Sequence, residues 1–465
     1  MPRPLLVPLI VACALFMESM DSTVLATSLP AIAADLGENP VALKLTLTAY
    51  LVALAVFIPV SGWFADRYGA RRVFAGAIAV FMLGSLACAV SSTLTALVAA
   101  RFFQGIGGAM MLPVGRLVLL RGVPKSGLID ALNTLTIAGL VAPVIGPPLG
   151  GLITQFAHWR WIFLINLPIG VLGFYLVLRH IPNLREDSVP RLDLIGFALS
   201  ATGLSSLMLG FSALGGHLLT PAASAGCVAA GLVLLGLYWL HARETPYPAI
   251  DLRLFRVATF ADGALAGNLF RIGLGATPFL LPMLLQLGFG MSPLGSGLLT
   301  CAVALGAMFM KTLTSAILRR YGFRRVLMVN ALLSAIAAAA PALFTAATPH
   351  ALIFAVLLAG GILRSLQFTG LNAITFADVS REAMSQATSI SGMSQRLAQS
   401  VGVAFGAYAL EISARVQGHD TIGAADFWPA FIAIALISAS SSLFHAKLAP
   451  DAGAEVSGHR AAARS

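Results

Sequence analysis

The sequence predicts an all-α polytopic membrane protein of fourteen transmembrane helices, arranged as six, two and six, with both termini cytoplasmic. Three observations carry that prediction. The chain is too apolar for water, its basic residues sort to one side of a fourteen-span count, and one basic octet occurs twice on equivalent loops.

The apolar excess is the first of these. Of 465 residues, 58% are hydrophobic and only 10% are charged. A soluble domain carries about a quarter charged residues, so the surplus apolar surface requires a bilayer. Crossing a hydrocarbon core of ~30 Å takes about 20 apolar residues in a helix. Splitting the chain at polar, Pro/Gly and charged breaks gives spans near 5–29, 43–64, 72–91, 94–119, 129–153, 159–179, 193–213, 222–241, 259–287, 294–316, 324–345, 350–371, 387–411 and 425–446. A transmembrane β-barrel would show short alternating segments instead. The first run holds Glu18 and Asp21 and has no convincing cleavage site, so it reads as a retained helix rather than a signal peptide. Cys13, Cys88, Cys227 and Cys301 sit in apolar runs with unrelated spacing and read as small buried hydrophobes.

Charge placement tests the count. With the N-terminus inside, 20 of the 29 Lys and Arg residues fall in the termini or the even-to-odd loops, six fall within spans, and only Lys44, Arg160 and Arg415 fall on the outer side. That is the positive-inside pattern, and a miscounted span would have scrambled it downstream. The net charge of +10 is thereby explained by topology, with no nucleic-acid partner required.

The repeat gives the arrangement. RYGARRVF at 67–74 returns as RYGFRRVL at 320–327, first between spans 2 and 3, then between spans 10 and 11. The copies are eight helices apart, so a duplicated six-helix unit has gained an inserted pair, a plan known among transporters. The expected domains are an N-terminal bundle over 1–181, a linker and inserted pair over 182–245, a C-terminal bundle over 246–449 and a disordered tail over 450–465. The copies differ upstream, where Gly62 and Asp66 are matched by Ser315 and Arg319.

Here a family resemblance becomes specific. GWFADRYGARR, from Gly62 to Arg72, resembles the loop 2–3 signature of the major facilitator superfamily. MDSTVLATSLP in span 1, RFFQGIGGAMMLP in span 4 and GLVAPVIGPPLGG in span 5 resemble motifs of its fourteen-helix drug:proton antiporter branch, the EmrB/QacA type. WRWIFLINLPIG at 159–170 and PAIDLRLFR before span 9 match as well. Ala26-Thr27-Ser28 departs from the usual Asn-Val-Ala. The resemblance implies export of small molecules coupled to protons by alternating access, with the proton as coupling ion and no other cofactor. It makes Gly62, Asp66, Arg67, Gly69, Arg71 and Arg72 a conformational latch. It assigns Gly139, Gly146, Pro147, Gly150 and Gly151 to an antiporter motif that controls leak. It links Arg101 to proton transfer.

The residues also argue for themselves. Ionisable groups within a membrane are costly and are functional candidates by default. Only Glu18 and Asp21 among the acids lie well inside a span, on one helix face. Desolvation favours the protonated form of such a carboxylate and a nearby arginine favours the ionised form, so it can take up and release a proton as access alternates. No histidine lies well inside a span, which disfavours a histidine relay or a metal site. Proton coupling is therefore expected at Asp21 and Glu18 with Arg101. Arg101, Arg271, Arg364 and Arg396 outnumber the two central acids, and a planar guanidinium suits carboxylate or phosphate. An anionic substrate is the expectation, with internal Arg–acid pairing as its rival. Gln104, Asn133, Asn268, Gln367 and Asn372 join those arginines as substrate-cavity candidates, followed by Gln286 and Gln395. Trp159 and Trp161 read as interface anchors.

The expected function is export by a transporter of the bacterial inner membrane, in contact with lipid. An organic-anion carrier with different coupling and a non-transporting membrane sensor remain as alternatives. No nucleophile–base pair or metal-ligand cluster supports an enzyme. Whether a periplasmic adaptor extends the route is not written in the sequence.

Overall fold

A computed structural model describes residues 3–122, 128–186, 189, 191–213, 219–246, 248–380, 383–419 and 422–459. Among them there is no strand. Fourteen helices are long and apolar enough to span a bilayer. They are α1 (Leu6–Leu36), α2 (Pro40–Tyr68), α3 (Ala70–Val90), α4 (Leu94–Arg121), α5 (Thr134–Phe156), α6 (Trp161–His180), α7 (Leu194–Ser212), α8 (Pro221–Glu244), α9 (Ala258–Gly288), α10 (Pro293–Tyr321), α11 (Phe323–Leu343), α12 (His350–Thr375), α13 (Gln386–Gln417) and α14 (Ala424–His445). Every expected span is present.

The chain divides into two compact units. The first holds α1 to α8 and the opening residues 292–297 of α10; the second holds α9, the rest of α10 and α11 to α14. The inserted pair α7–α8 thus clusters with the first unit. Phe57 of α2 and Phe197 of α7 meet with ring centroids 6.1 Å apart, and Asp193 caps α7 by accepting from the Gly196 amide at 2.8 Å.

Glycines set the helix spacing where the first unit is tightest. A Cβ on Gly105 of α4 would lie 2.6 Å from Ala53 Cβ of α2, and one on Gly107 would lie 2.6 Å from the Ala77 carbonyl of α3. Across from them, a Cβ on Gly84 of α3 would lie 2.5 Å from Gln104 Cα. Helices α2 and α3 therefore approach α4 at backbone distance, as small residues allow within a membrane.

The octets repeat in backbone as well as in letters. Gly69 and Gly322 occupy the same position in each copy, with φ of 94° and 72°. A side chain is strained there, so glycine makes the turn between successive helices. The amides of Gly69 and Gly322 close the preceding helices on Ala65 and Leu318 at 2.9 Å each. In each unit a segment following the sixth helix of the repeat, α6 in the first and α14 in the second, folds back onto the turn. The Glu186 amide donates to the Asp66 carbonyl at 3.1 Å, and His459 Nδ1 donates to the equivalent Arg319 carbonyl at 3.0 Å. The first part of the expected disordered tail is therefore structured, and residues 460–465 lie outside the described residues. Residues 451–459 are ordered by this contact and by the helical turn Ala454–Ser457.

Two expectations change in the second unit. Helix α13 extends six residues past the expected 411, so Glu411 is a buried acid well inside a span. His445, the last residue of α14, is fully buried and paired with Asp262 Oδ2 at 2.9 Å. Apolar runs mark the ends of hydropathy, while a bundle can bury the polar residues just beyond. The described cysteines are all free, with Cys88 and Cys301 buried and Cys13 and Cys227 half-buried.

Candidate functional site

The first unit carries a closed polar network at mid-span. Asp21 and Arg101 are 2% and 0% exposed. Arg101 Nη1 reaches Asp21 Oδ2 at 2.6 Å and Gln104 Oε1 at 2.6 Å. Asp21 Oδ1 accepts from Gln104 Nε2 at 2.9 Å and from Asn166 Nδ2 at 2.8 Å. Ser85 Oγ accepts from the same two amides at 2.8 and 3.2 Å. Arg101 and Gln104 are one turn apart on α4, so they reach α1 together. The glycine-spaced approach of α3 brings Ser85 within range.

This arrangement can hold a charge and release it. Both Asp21 oxygens are hydrogen-bonded, so the ionised carboxylate is satisfied within a low-dielectric bundle. Arg101 already shares Nη1 between Asp21 and Gln104. If Asp21 takes a proton, the guanidinium keeps an acceptor in Gln104. The guanidinium carbon also lies 4.5 Å from the Tyr50 ring centroid and 5.8 Å from that of Phe163, contacts that stabilise a desolvated cation. Glu18 lies one turn away and accepts from the Tyr50 hydroxyl at 3.0 Å. Tyr50 therefore touches both Glu18 and Arg101.

Ser85, Tyr50 and Asn166 were not among the sequence candidates. Asn166 carried a signal, an isolated amide in the apolar run WIFLINLPIG; Ser85 and Tyr50 carried none. Asn166 Oδ1 is buried without a hydrogen-bond partner.

Helix α1 packs along α5. A Cβ on Gly150 would lie 2.5 Å from both Thr27 Oγ1 and the Val24 carbonyl, and one on Gly146 would clash with Thr23. Thr27 donates to the Pro147 carbonyl at 3.4 Å, and Ser28 and Thr154 share a hydrogen bond of 2.7 Å. The departure at Ala26-Thr27-Ser28 thus supplies hydroxyls to α5. Gly151 is buried beside this seam, and Gly139 is exposed with open space around it.

At the octet, Asp66 Oδ1 pairs with Arg121 Nη1 at 2.9 Å, and Arg121 Nη2 pairs with Glu186 Oε1 at 3.0 Å. Arg121, at the end of α4, is the partner that sequence spacing did not reveal. Asn183 packs against Gly69 and accepts from the Arg72 amide at 3.4 Å. Gly62 has open space where a Cβ would stand, and Arg67 and Arg72 are exposed while Arg71 is half-buried.

The second unit holds a different cluster. Arg271 of α9 is 1% exposed and makes no ion pair among the described residues. It donates to the Gly263 carbonyl at 3.1 Å, to Asn268 Oδ1 at 3.4 Å and to Asn372 Oδ1 at 3.2 Å, and its Nε has no partner. Asn268 donates to Ser394, and Gln395 donates to Asn372 at 3.3 Å. Arg271 and Arg364 flank the Phe368 ring at 5.7 and 5.4 Å. Arg396 reaches Gln399 at 3.4 Å. Gln367 instead clasps α12 to α11, bonded to Asn330 and the Leu327 carbonyl. Gln286 is buried in a π-helical turn. The side chain of Asn133 lies outside the described residues.

Trp159 corrects an expectation. It is buried, with Nε1 donating to Asp35 at 2.9 Å beneath Arg160, whereas Trp161 is exposed. Arg160 pairs with Asp35 at 2.9 Å, so this corner is a salt-bridged joint between α1 and α6.

Fourteen helices of membrane-crossing length and composition, with charged side chains buried among them, define a multi-pass membrane protein. The comparisons name the group. The family model for the Major Facilitator Superfamily matches residues 11–240 and 263–464, and the chain belongs to that superfamily. Its relatives include the protein named "Putative multidrug resistance protein MdtD" in Yersinia pestis (strain Pestoides F) and in Yersinia pseudotuberculosis serotype O:1b (strain IP 31758). Each is 38% identical over 447 residues, covering 96% of both chains. Solved structures share the fold at 14–15% identity. A POT family transporter in complex with a thioalcohol conjugated peptide has a TM-score of 0.70, covering 94% of each chain. A bacterial homologue of the human lysosomal transporter Spinster, inward-facing and unoccupied, has 0.67, covering 96% of each. The human organic anion transporter MFSD10 has 0.61, covering 96% of this chain and all of the other.

Proposed function

We propose that the protein is a proton-coupled secondary active exporter of small molecules in the bacterial inner membrane, with both termini cytoplasmic. The observation that carries this reading is the Asp21–Arg101–Gln104 network. It is a buried carboxylate whose cationic partner has a second acceptor ready, as proton exchange within a membrane requires. The name of the Yersinia relatives supports multidrug-type efflux. Asp21, Glu18 and Arg101 serve proton coupling, and the proton is the coupling ion, with no other cofactor. One charge crossing 100 mV is worth about 2.3 kcal/mol, enough to drive roughly fiftyfold accumulation per proton. The α1–α5 seam limits leak, and the Asp66–Arg121–Glu186 cluster latches one conformation.

The test is purified protein in liposomes with an imposed pH gradient. Substrate movement should follow the gradient and should stop with Asp21→Asn. Gradient-independent movement, or an unaffected Asp21→Asn variant, overturns the proposal.

A second reading concerns the cargo. Arg271 is a buried cation that makes no ion pair among the described residues, and Arg364 shares its aromatic neighbour. A substrate anion that supplies the missing charge would stabilise both, which supports an organic acid as cargo. Asn268, Asn372 and Arg396 would line that site. Binding of carboxylates that is lost in Arg271→Ala and Arg364→Ala, with cationic dyes unbound, is the expected result; the reverse preference sinks it.

A further inference from the structure

We infer that Asp262 and His445 form a second proton-binding site, in the second unit and separate from Asp21. The coupling proposed at Asp21 uses residues of the first unit alone, and this pair plays no part in it.

The geometry is specific. His445 Nδ1 lies 2.9 Å from Asp262 Oδ2, with the two side chains 0% and 10% exposed. A carboxylate only accepts, so Nδ1 carries the hydrogen and donates it. His445 Nε2 is buried with no hydrogen-bond partner. In the neutral imidazole that nitrogen is only an unused acceptor. In the imidazolium it would be an N–H donor without an acceptor, which costs about 1–3 kcal/mol. Proton uptake therefore favours any arrangement that offers Nε2 an acceptor. By linkage, a conformational change that supplies one takes up a proton, and its reversal releases it. The step balances simply: one proton from water adds to Nε2, and the pair passes from a net charge of −1 to zero.

A cavity reaches the Asp262 side of the pair. Asp262 lines a cavity of about 670 Å³ that Asp378, Lys447, Asp451 and Glu455 also line. Four acids against one lysine give that cavity a negative potential, which raises local proton activity. The charged groups around His445 come from each packed element. They are Asp262 on α9, Asp378 after α12 (accepting from Thr259 at 2.9 Å), and Lys447, Asp451 and Glu455 after α14, which line the cavity with Asp262.

The site is also wired to the arginine cluster. Asp262 opens a π-helical turn, Asp262–Ala266, within α9. Such turns carry one residue more than an α-helix and mark functional positions. The next residue, Gly263, gives its carbonyl to Arg271 at 3.1 Å. A shift of Asp262 on protonation moves the acceptor that holds Arg271.

The test is histidine-labelled full-length protein in nanodiscs, followed by NMR across pH. One imidazole resonance, assigned by its loss in His445→Gln, should titrate between about pH 5 and pH 8, the window in which an imidazole changes charge. Asp262→Asn should lower its midpoint by about one pH unit or more, a tenfold change in proton affinity. Because His445→Gln could unfold the chain, assignment is repeated with His445→Asn and folding is checked by melting. A His445 resonance that does not titrate in that window, or one whose midpoint ignores Asp262→Asn, overturns the inference. The readout does not depend on transport, so failure of the Asp21 proposal would leave it intact, and the converse holds.

Discussion

Asp21 on α1 and Arg101 on α4 meet at 2.6 Å with both side chains 1% exposed. Removing two such charges from water costs several kcal/mol each, and the ion pair recovers this only when the remaining hydrogen bonds are made as well. Here they are made: Gln104 and Asn166 complete the carboxylate, and Gln104 gives the guanidinium a second acceptor. A purely structural pair would gain as much from an apolar replacement. Retaining a costly, fully bonded pair beneath the membrane surface is what a group that must change charge requires.

Asp21→Asn should abolish gradient-driven transport while leaving substrate binding and counterflow measurable. It leaves Arg101 buried without its anion, so the melting temperature should fall, with about 3 kcal/mol of destabilisation. Adding Arg101→Gln should restore much of that stability and none of the pumping. A double variant that pumps would show that the pair only holds helices together.

Arg101→Lys is not conservative at this position. An ammonium lacks the plane that lies against Tyr50 and Phe163 and the Nε hydrogen that reaches the Thr46 carbonyl at 3.5 Å. Transport should drop about tenfold or more, a loss of about 1.4 kcal/mol in the coupled step. Equal activity in proteoliposomes of the lysine variant would remove the case for planar recognition.

Asp66 and Arg121 lie near the surface, 29% and 35% exposed, so their contact is worth about 1 kcal/mol or less. That is small for stability yet enough to bias two conformations about fivefold. Arg121→Ala should shift the conformational distribution, read by distance measurements across the octet end, with little change in melting. The swap Asp66→Arg with Arg121→Asp should restore the distribution. If the swap behaves like the single variant, the contact is not the latch.

Span number, the repeat and the two carboxylates of α1 were legible because hydropathy and charge are local properties. Arg101 and Gln104 were legible too, since they share a turn of one helix. Their partners Ser85, Asn166 and Tyr50 come from three other helices, and no spacing in a single chain encodes that meeting. Arg121 was hidden for the same reason, 55 residues from Asp66. His445 was passed over because it ends an apolar run, although the bundle buries it fully. Hydropathy locates the membrane, but burial against neighbouring helices extends beyond it.

Gly150→Ala should widen the α1–α5 seam, because a Cβ there would stand 2.5 Å from the Val24 carbonyl, a backbone atom that cannot rotate away. Overpacking of this kind costs about 1–3 kcal/mol. The leak reading expects more than lost stability: proton influx without substrate should rise in liposomes carrying the alanine variant. Gly139→Ala, which meets open space, is the control and should change neither. A variant of Gly150 that melts early but stays proton-tight would confine the stripe to packing.

Asp193 gives a pH dependence whose sign can be stated. Burial disfavours its charged form, but the Gly196 amide, His241 and the Ala249 amide outweigh that and hold its pKa below the usual carboxylate value. A carboxyl with a depressed folded pKa contributes stability above its unfolded value, near pH 4, and loses it as pH falls through the lower folded value. The α7–α8 pair should therefore melt progressively earlier as the medium is acidified below about pH 4. Asp193→Asn keeps a cap oxygen for Gly196 but no charge for His241, so it should melt lower at neutral pH and show a flatter acid limb. Asp193→Ala loses the cap as well, at about 0.5–2 kcal/mol. Melting curves of the three proteins from neutral to acid pH decide the matter, and parallel acid limbs for wild type and Asp193→Asn would show that Asp193 is not the titrating group.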